Sequence, residues 1–239
     1  MNKEAVLVFA RRPELGRVKT RLDAHIGKRL TLSLYRAFLT DTLDAARQSG
    51  ATVILAHTPG PDFSEQNLAD ITLEQRGNTF GERFDAAFED AANHIPEKTP
   101  LVLIGADTPH LSPQFLRKTF VALRERHAVI GESADGGFYL LGFSSRPVPI
   151  SDAFSEPTKA NAETVRLLRK AGLRPVFLEK QFDVDSPQDL MKLIRLMDHL
   201  HATCADWAPE NTRKVLHDEE IIPLVVQIEN AQKAARVTK

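Results

Sequence analysis

Residues 5–29 read AVLVFARRPELGRVKTRLDAHIGKR. The stretch opens with an apolar run, Ala5–Ala10, and continues as a basic loop that contains Gly16. Residues 11–29 hold seven Lys or Arg side chains against two acids, although the net charge of the whole chain is −1. A strand that leads into a Gly-containing basic loop and then a helix is typical of α/β proteins that bind phosphate, because backbone N–H groups and cationic side chains converge on the anion. We therefore expect an α/β sheet that begins here and a site for a nucleotide at the end of its first strand.

The composition is that of an ordinary globular domain of 239 residues, with 42% hydrophobic and 26% charged residues. The near-neutral charge argues against a dedicated nucleic-acid binder. The single cysteine, Cys204, excludes an internal disulfide and a Cys-based zinc site, which fits a reducing compartment. No apolar stretch is long enough to span a membrane, and the first residues lack a signal-peptide pattern. A cytoplasmic location is expected.

Short apolar runs alternate with amphipathic segments along most of the chain. The predicted strands are Ala5–Ala10, Thr52–Ala56, Ile71–Leu73, Leu101–Ile104, Ala128–Ile130, Tyr139–Phe143 and Pro175–Leu178. The predicted helices are Thr31–Gln48, Gly81–His94, Pro113–Arg124 and Ala160–Ala171. This alternation predicts a three-layer α/β/α fold with a mainly parallel sheet. In such sheets ligands bind at the carboxyl ends of the strands.

The last part of the chain favours helices. A helical apolar stripe follows Pro187, and residues 209–239 are predicted to continue as helix with a break at Pro223. We expect a catalytic domain over residues 1–200 and a helical extension over residues 201–239. The extension either packs on the domain or forms a homodimer contact.

The basic loop has two interpretations. Lys19 and Arg21 lie two residues apart, so in an extended loop their side chains point the same way, and a triphosphate needs several cations at once. The alternative is a solvated basic loop without a ligand. Neither a Walker A pattern nor GxGxxG occurs in the chain.

A second candidate site is the segment IGADTPHL, residues 104–111. Asp107 comes just after a predicted strand, where a carboxylate is well placed to hold Mg²⁺ together with substrate phosphates. The alternative is that Asp107 only caps the turn. His110 is interpreted as a loop residue.

Two further motifs contain small or acidic residues. In ESADGGFYLLGF, residues 132–143, the glycines of Asp135-Gly136-Gly137 allow close approach to a ligand, but the residues alone favour a hairpin turn. In FDVDSPQDL, residues 182–190, Asp183 and Asp185 alternate along an extended segment. Asp185 is the candidate cation contact, while Ser186 and Asp189 have the spacing of a helix cap.

A fifth motif, RGNTFGERFDAAF, spans residues 76–88 and opens a predicted helix. Arg83 lies in its first turn and is interpreted either as an anion contact or as a plain surface arginine.

Together, the KTRL, GERF, ADTP, DGGFYLLG and DVDSP segments resemble a known group of bacterial proteins over about residues 4–195. The group is an uncharacterised one related to GT-A type glycosyltransferases and to nucleotidyltransferases. Phospholactate guanylyltransferase and molybdenum-cofactor guanylyltransferase are similar in plan. The resemblance implies the nucleotide-diphospho-sugar transferase fold.

The resemblance also implies roles for particular residues. The implied nucleotide and phosphate contacts, with Arg83 added from the motif above, are Arg11, Gly16, Lys19, Arg21 and Arg83. Asp107 and Asp185 are the implied ligands of Mg²⁺ or Mn²⁺, and Lys19, Arg21 and Asp107 form the expected catalytic group. The turn at Asp135, Gly136 and Gly137 is expected to lie near the acceptor or sugar.

The pattern departs from the relatives in the first loop and at position 105. The first loop reads FARRPELG where nucleotidyltransferases usually have a glycine-rich LAxG loop, and Gly105 stands where glycosyltransferases of this fold carry the first Asp of a D-x-D. We expect an Mg²⁺-dependent enzyme that transfers a nucleotidyl group from a nucleoside triphosphate to a phosphorylated small-molecule acceptor. Transfer of a sugar from a nucleotide-sugar and a catalytically silent nucleotide-binding module are the alternatives.

Overall fold

A computed structural model describes residues 4–134, 136–203, 205–218 and 221–237, so the predictions for Asp135 and Cys204 lie outside the described residues. The strands are β1 (Ala5–Ala10), β2 (Thr52–His57), β3 (Ile71–Glu74), β4 (Leu101–Gly105), β5 (Ala128–Glu132), β6 (Phe138–Phe143) and β7 (Val176–Phe177). The helices are α1 (Thr20–Ile26), α2 (Lys28–Gln48), α3 (Phe80–Asn93), α4 (Pro113–Glu125), α5 (Ala160–Lys170), α6 (Pro187–Ala202), α7 (Glu210–Asp218) and α8 (Ile221–Val237). Short 3₁₀ segments occupy residues 64–68, 151–155 and 157–159.

All seven predicted strands are present, and the strand at 175–178 is shorter than expected. Two predictions about helices were wrong. The stretch 20–26 forms a separate helix, α1, and Pro223 does not break the last helix, because it lies in the first turn of α8. A proline is tolerated there since the first N–H groups of a helix have no partner within the helix.

The strands form one sheet in the order β3-β2-β1-β4-β6-β5-β7. All neighbouring pairs are parallel except those of β6, which runs antiparallel to β4 and to β5. From β1 the chain first builds outward through β2 and β3 and then returns to the other side of β1 with β4. The direction of winding therefore reverses between β1 and β4, and a crevice forms outside the carboxyl ends of these strands.

Because β6 is antiparallel, its beginning lies at the same edge as the ends of the parallel strands. The loops that follow β1, β4 and β7, and the turn that precedes β6, thus meet at one edge of the sheet. The prediction of a hairpin at Gly136-Gly137 is confirmed, because this turn joins β5 to β6.

Apolar side chains pack on both faces of the sheet, and a third cluster of them lies between α2 and an outer layer of helices. One face packs against α2 and α4, and the other against α3 and α5. Helix α2 is apolar on two sides: Tyr35 and Leu39 face the sheet, whereas Leu34 and Phe38 face the third layer, which contains α1, α6, α7 and α8. The C-terminal helices therefore pack on the domain, while the boundary at residue 200, which falls within α6, stays a prediction.

A buried carboxylate joins α7 to α2. Asp41 of α2 is 3% exposed and accepts hydrogen bonds from the backbone N–H groups of Asn211 (3.0 Å) and Thr212 (2.7 Å), in the first turn of α7. The side-chain amide of Asn211 also donates to it, at 2.8 Å. An anion at a helix N-terminus satisfies free N–H groups and interacts favourably with the helix dipole.

Within the part of the chain that the structure describes, no helix combines the length and apolar character needed to cross a lipid bilayer.

Candidate functional site

The centre of the site is a lysine held between two carboxylates. The Nζ atom of Lys19 lies 2.7 Å from Oδ1 of Asp107 and 2.8 Å from Oδ1 of Asp185. The three residues come from the loop after β1, the loop after β4 and the segment that precedes α6. The fold thus joins the predicted basic loop and the two predicted carboxylates at the reversal point of the sheet.

The backbone of the first loop explains where Lys19 points. The loop turns at Gly16, whose φ of 72° favours glycine, and Arg17 N–H donates to the Glu14 carbonyl at 3.0 Å. Lys19 is also left-handed, with φ 46° and ψ 43°, and immediately precedes α1. The expectation that Lys19 and Arg21 lie together in an extended loop was therefore wrong, because Lys19 is left-handed and Arg21 already belongs to α1.

Arg21 nevertheless reaches the same carboxylate as Lys19. Its Nη1 atom lies 3.8 Å from Oδ2 of Asp185, and its side chain is 80% exposed. The side chain of Lys19, in contrast, is 5% exposed. Arg21 is accordingly free to contact a ligand in the crevice, whereas Lys19 lies beneath the carboxylates.

The carboxylates set the ionisation of Lys19. Burial on its own would lower the pKa of this lysine, but the charges and hydrogen bonds of Asp107 and Asp185 outweigh it. The pKa of Lys19 is therefore raised above its ordinary value. The lysine is a permanent positive charge at neutral pH.

Backbone and side-chain contacts bring Asp185 to Asp107. Val184 N–H donates to the carbonyl of Asp107 at 2.9 Å, so the segment that carries Asp185 lies directly against the loop after β4. His110, in that same loop, stacks on Phe182 with ring centroids 4.4 Å apart and bonds through Nε2 to Gln181 at 3.1 Å. These contacts hold residues 181–185 to the 107–110 loop.

His110 was not predicted as part of the site, because a lone histidine after a proline turn has no distinctive spacing. His110 is 8% exposed, and burial lowers its pKa to about 4, although the bond to Gln181 opposes this shift. His110 is therefore neutral at pH 7, with the Nε2 proton donated to the amide oxygen of Gln181.

Asp183 and Asp185 have different partners, although they alternate along the chain. Asp183 accepts a hydrogen bond from the Ser133 hydroxyl at 2.8 Å, next to the turn before β6. Asp185 faces Lys19. The predicted cap at Ser186 and Asp189 is confirmed, because the Ser186 hydroxyl accepts from Asp189 N–H and the Asp189 carboxylate accepts from Ser186 N–H.

Two residues that sequence reasoning missed hold the first loop in place. Arg11 N–H donates to the Tyr35 hydroxyl and the same hydroxyl donates to the Arg11 carbonyl, both at 2.9 Å. The buried amide of Gln75 donates to the carbonyls of Ala10 (2.9 Å) and Ala56 (3.0 Å), at the ends of β1 and β2. Tyr35 lies on the apolar face of a helix and Gln75 directly follows a strand. No local sequence pattern marks either residue as functional.

The remaining predicted cations have different environments. Arg11 is exposed at the start of the loop, and its guanidinium has no ion-pair partner among residues in the described ranges. Arg12 is instead paired with Glu14 at 2.7 Å. Arg83 lies in the first turn of α3, and its guanidinium contacts the Asn78 carbonyl at 3.5 Å.

The turn before β6 lies at the same edge. Gly136 has a φ of 93°, and an added Cβ would lie 2.7 Å from the Thr158 carbonyl oxygen, so this position requires glycine. The prediction that Gly136 and Gly137 line an acceptor subsite stays a prediction.

An aromatic cluster lies beside the crevice on the α3 side. Phe80, at the start of α3, is 48% exposed and packs edge-on against Phe9 of β1 (centroids 5.7 Å apart) and Phe154 (4.9 Å). Phe9 is paired with Gly105 on the neighbouring strand β4. A Cβ added at Gly105 would meet only the backbone N of Asp107, at 3.8 Å. The cluster therefore presents the exposed aromatic ring of Phe80 near an open position at the end of β4.

The two carboxylates fit a divalent cation only in combination with other ligands. Asp107 and Asp185 converge on one point and are 44% and 41% exposed, so further oxygen lone pairs face solvent. Among the residues described, no cluster of three or more His, Cys, Asp or Glu could hold a metal ion. Such a pair is suited to Mg²⁺ or Mn²⁺ that takes its remaining ligands from water and substrate phosphates.

The fold also occurs in a solved structure of similar length. A proposed nucleotide-diphospho-sugar transferase from Desulfovibrio desulfuricans G20 is 27% identical, with a TM-score of 0.80 over 95% of this chain and 98% of that one. The chain has the nucleotide-diphospho-sugar transferase fold. A structure named as a hypothetical transferase from Thermus thermophilus is 16% identical, with a TM-score of 0.52 over 78% of this chain and 99% of that one, and supports the fold alone.

Comparison by sequence covers less of the chain. A family described as "Uncharacterized protein conserved in bacteria (DUF2064)" matches residues 39–157, a segment that contains Asp107 and Gly136 but neither Lys19 nor Asp185. No curated protein matches the sequence.

Proposed function

We propose that the protein is a divalent-metal-dependent transferase that moves a nucleotidyl group from a nucleoside triphosphate to a phosphorylated small-molecule acceptor. The observation that carries the proposal is the convergence of Lys19, Asp107 and Asp185 at the reversal point of the sheet. The likeness of the whole fold to a proposed nucleotide-diphospho-sugar transferase supports a nucleotide as the donor.

In this proposal the exposed arginines Arg11 and Arg21 bind the triphosphate, with Arg83 as a further contact from the start of α3. Asp107 and Asp185 would hold Mg²⁺ or Mn²⁺, and the ion would supply neutralisation of phosphate charge. The turn at Gly136-Gly137 and the exposed ring of Phe80 border the space for the acceptor.

Little covalent chemistry is required of the protein itself. An acceptor oxygen attacks the α-phosphorus in line, a new P–O bond forms, and the bond to the β-phosphate oxygen breaks to release pyrophosphate. The side chains contribute by orienting the donor and by balancing its negative charge, which otherwise repels the acceptor phosphate.

The proposal is tested by incubating the protein with labelled nucleoside triphosphates, Mg²⁺ and a panel of sugar phosphates. We expect release of pyrophosphate that falls by at least about 100-fold in Asp107→Asn, because one of the two carboxylate ligands is lost. Asp198→Asn, on the exposed side of α6, is the matched control and should leave the rate unchanged. Pyrophosphate release that survives in Asp107→Asn would contradict the assigned role.

Sugar transfer is the second candidate, because the similar Desulfovibrio protein is described as a proposed nucleotide-diphospho-sugar transferase. Release of a nucleoside diphosphate from a nucleotide-sugar would favour it. Calorimetry separates both from a silent module: nucleotide binding that needs no metal and persists in Asp107→Asn would favour binding without catalysis.

A further inference from the structure

The position of Lys19 relative to the carboxylates has a consequence for metal binding. The lysine side chain is 5% exposed, whereas those of Asp107 and Asp185 are 44% and 41% exposed. The ammonium group therefore contacts both carboxylates from the protein interior, and their remaining oxygens face the crevice. In this arrangement Lys19 does not itself point toward a ligand in solvent.

The charges at this point nearly cancel. Two carboxylates carry two negative charges, Lys19 supplies one positive charge in direct contact, and Arg21 supplies a second at 3.8 Å from Asp185. A bare divalent cation approaching the pair gains little attraction, since like charges that are close together in a partly buried site repel strongly. It also competes with the ammonium for the lone pairs of the two Oδ1 atoms.

A cation that arrives with a polyphosphate is in a different situation. Its charge is already balanced by the phosphates, and the phosphates in turn are attracted by the exposed Arg21 and by Arg11 at the start of the loop. The carboxylates then need to supply only part of the coordination shell, as is usual for Mg²⁺.

We propose that Lys19 is a built-in counter-ion which prevents the Asp107–Asp185 pair from holding a bare divalent cation, so that the cation enters the site only together with the phosphates of its ligand. The inference rests on the proposed function for the identity of the phosphate ligand. It also changes the role of Lys19, which becomes a group that sets metal affinity instead of a phosphate contact.

The test measures binding of Mn²⁺ alone, without nucleotide, by electron paramagnetic resonance of the free ion. The variants are Lys19→Met and Lys19→Gln. Their side chains are unbranched at Cβ, like that of lysine, so they fit the left-handed backbone at this position as well as lysine does. Lys28→Met removes an exposed positive charge from the same part of the chain and is the matched control. Circular dichroism and thermal unfolding check that each variant is folded.

We expect wild type and Lys28→Met to bind Mn²⁺ no tighter than millimolar, and Lys19→Met and Lys19→Gln to bind it at least tenfold tighter. A further change, Asp107→Asn in the Lys19→Met background, should remove the gain. If Lys19 were only a structural ion-pair partner, both Lys19 variants would bind Mn²⁺ no tighter than wild type, because damage to the site does not tighten binding.

Equal Mn²⁺ affinity in wild type and Lys19→Met would overturn the proposal, as would a gain that persists after Asp107→Asn is added. If both Lys19 variants fail to fold, the wild type still decides: micromolar affinity for Mn²⁺ alone overturns the proposal, and no binding below 1 mM, followed by Mn²⁺ uptake on addition of a nucleoside triphosphate, supports it. Failure of the proposed function gives a different result. A nucleoside triphosphate then has no effect on Mn²⁺ binding by the wild type, while the difference between wild type and the Lys19 variants for Mn²⁺ alone remains.

Discussion

At the scale of single residues, His110 shows how a neutral side chain positions a charged one. It is buried against Phe182, bonds to Gln181 and thereby holds the segment that carries Asp185 beside Asp107. Its Nδ1 atom has no hydrogen-bond partner among the described residues. Protonation of this ring would place a charge in a buried position next to an aromatic ring, which is unfavourable.

Stability is therefore expected to depend on pH through His110. Burial lowers its pKa from 6.5 to about 4, so the unfolded chain takes up the proton first as the pH falls. The contribution is fully present above pH 6.5 and is lost between pH 6.5 and about 4, with a total on the order of 3 kcal/mol. Urea unfolding at pH 7, 5.5 and 4.5 measures it.

In His110→Phe, which keeps a ring to stack on Phe182, the loss of stability over this pH range should be smaller than in wild type by about that amount. His199→Gln, an exposed histidine of α6, is the control and should follow the wild type. Parallel pH curves for wild type and His110→Phe would show that His110 does not carry this pH dependence.

The sequence indicates the charged residues of the site but not the neutral ones that support them. Lys19 and Asp107 follow strands and carry charge, so they were predicted, and the structure brings them to 2.7 Å. Tyr35 lies on the sheet-facing side of a helix, where an aromatic residue ordinarily indicates core packing. Its bond to Arg11 depends on a separation of 24 residues, which local patterns do not contain.

At the scale of helices and strands, α7 depends on a contact far away in the sequence. Its free N–H groups are satisfied by Asp41 of α2, across a separation of 170 residues or more. This nine-residue helix is too short to be stable alone. The carboxylate of Asp41 is thus part of what makes residues 210–218 helical.

We expect Asp41→Ala to lower the free energy of unfolding by about 3 kcal/mol, because it leaves buried donors at the start of α7 without an acceptor. Amide hydrogen exchange should show loss of protection in α7 before the rest of the chain. Asp41→Asn retains one acceptor oxygen and should have an intermediate effect. Unchanged protection of α7 in Asp41→Ala would show that packing alone maintains the helix.

Elements with strong local patterns were predicted well, and those that depend on packing were not. The Ser112 hydroxyl caps the start of α4, and Gly50 and Gly172, both with positive φ, follow α2 and α5, so these helix ends depend on residue types that the sequence shows directly. Helix α1 was missed because its seven residues belong to a basic stretch, and only Leu22 and Ile26 are buried in it. Those two side chains are covered by the C-terminal helices, which no local pattern could indicate.

At the scale of the whole molecule, the third layer supports the site through α1. Lys19 immediately precedes α1, and Leu22 and Ile26 pack in the same cluster as Ile221 and Val225 of α8. The alternation of strands and helices predicted that the loops after β1 and β4 would share an edge. It contained no information on this outer layer, since its contacts join the two ends of the chain.

Adjacent valines of α8 allow this support to be tested. Val225 is 1% exposed and Val226 is 39% exposed. Val225→Asp buries a carboxylate without a partner and should cost about 3–5 kcal/mol, whereas Val226→Asp should change stability by less than about 0.5 kcal/mol. Urea unfolding measures both variants under the same conditions.

The more informative measurement is amide exchange in α1 and the loop before it. If α8 maintains the position of Lys19 through Leu22 and Ile26, Val225→Asp should reduce protection in α1 more than in α3, which packs on the opposite face of the sheet. Val226→Asp introduces the same charge on the exposed side and should leave both helices unchanged. Equal loss of protection in α1 and α3 would mean that the variant weakens the whole fold and that the C-terminal helices have no particular connection to the site.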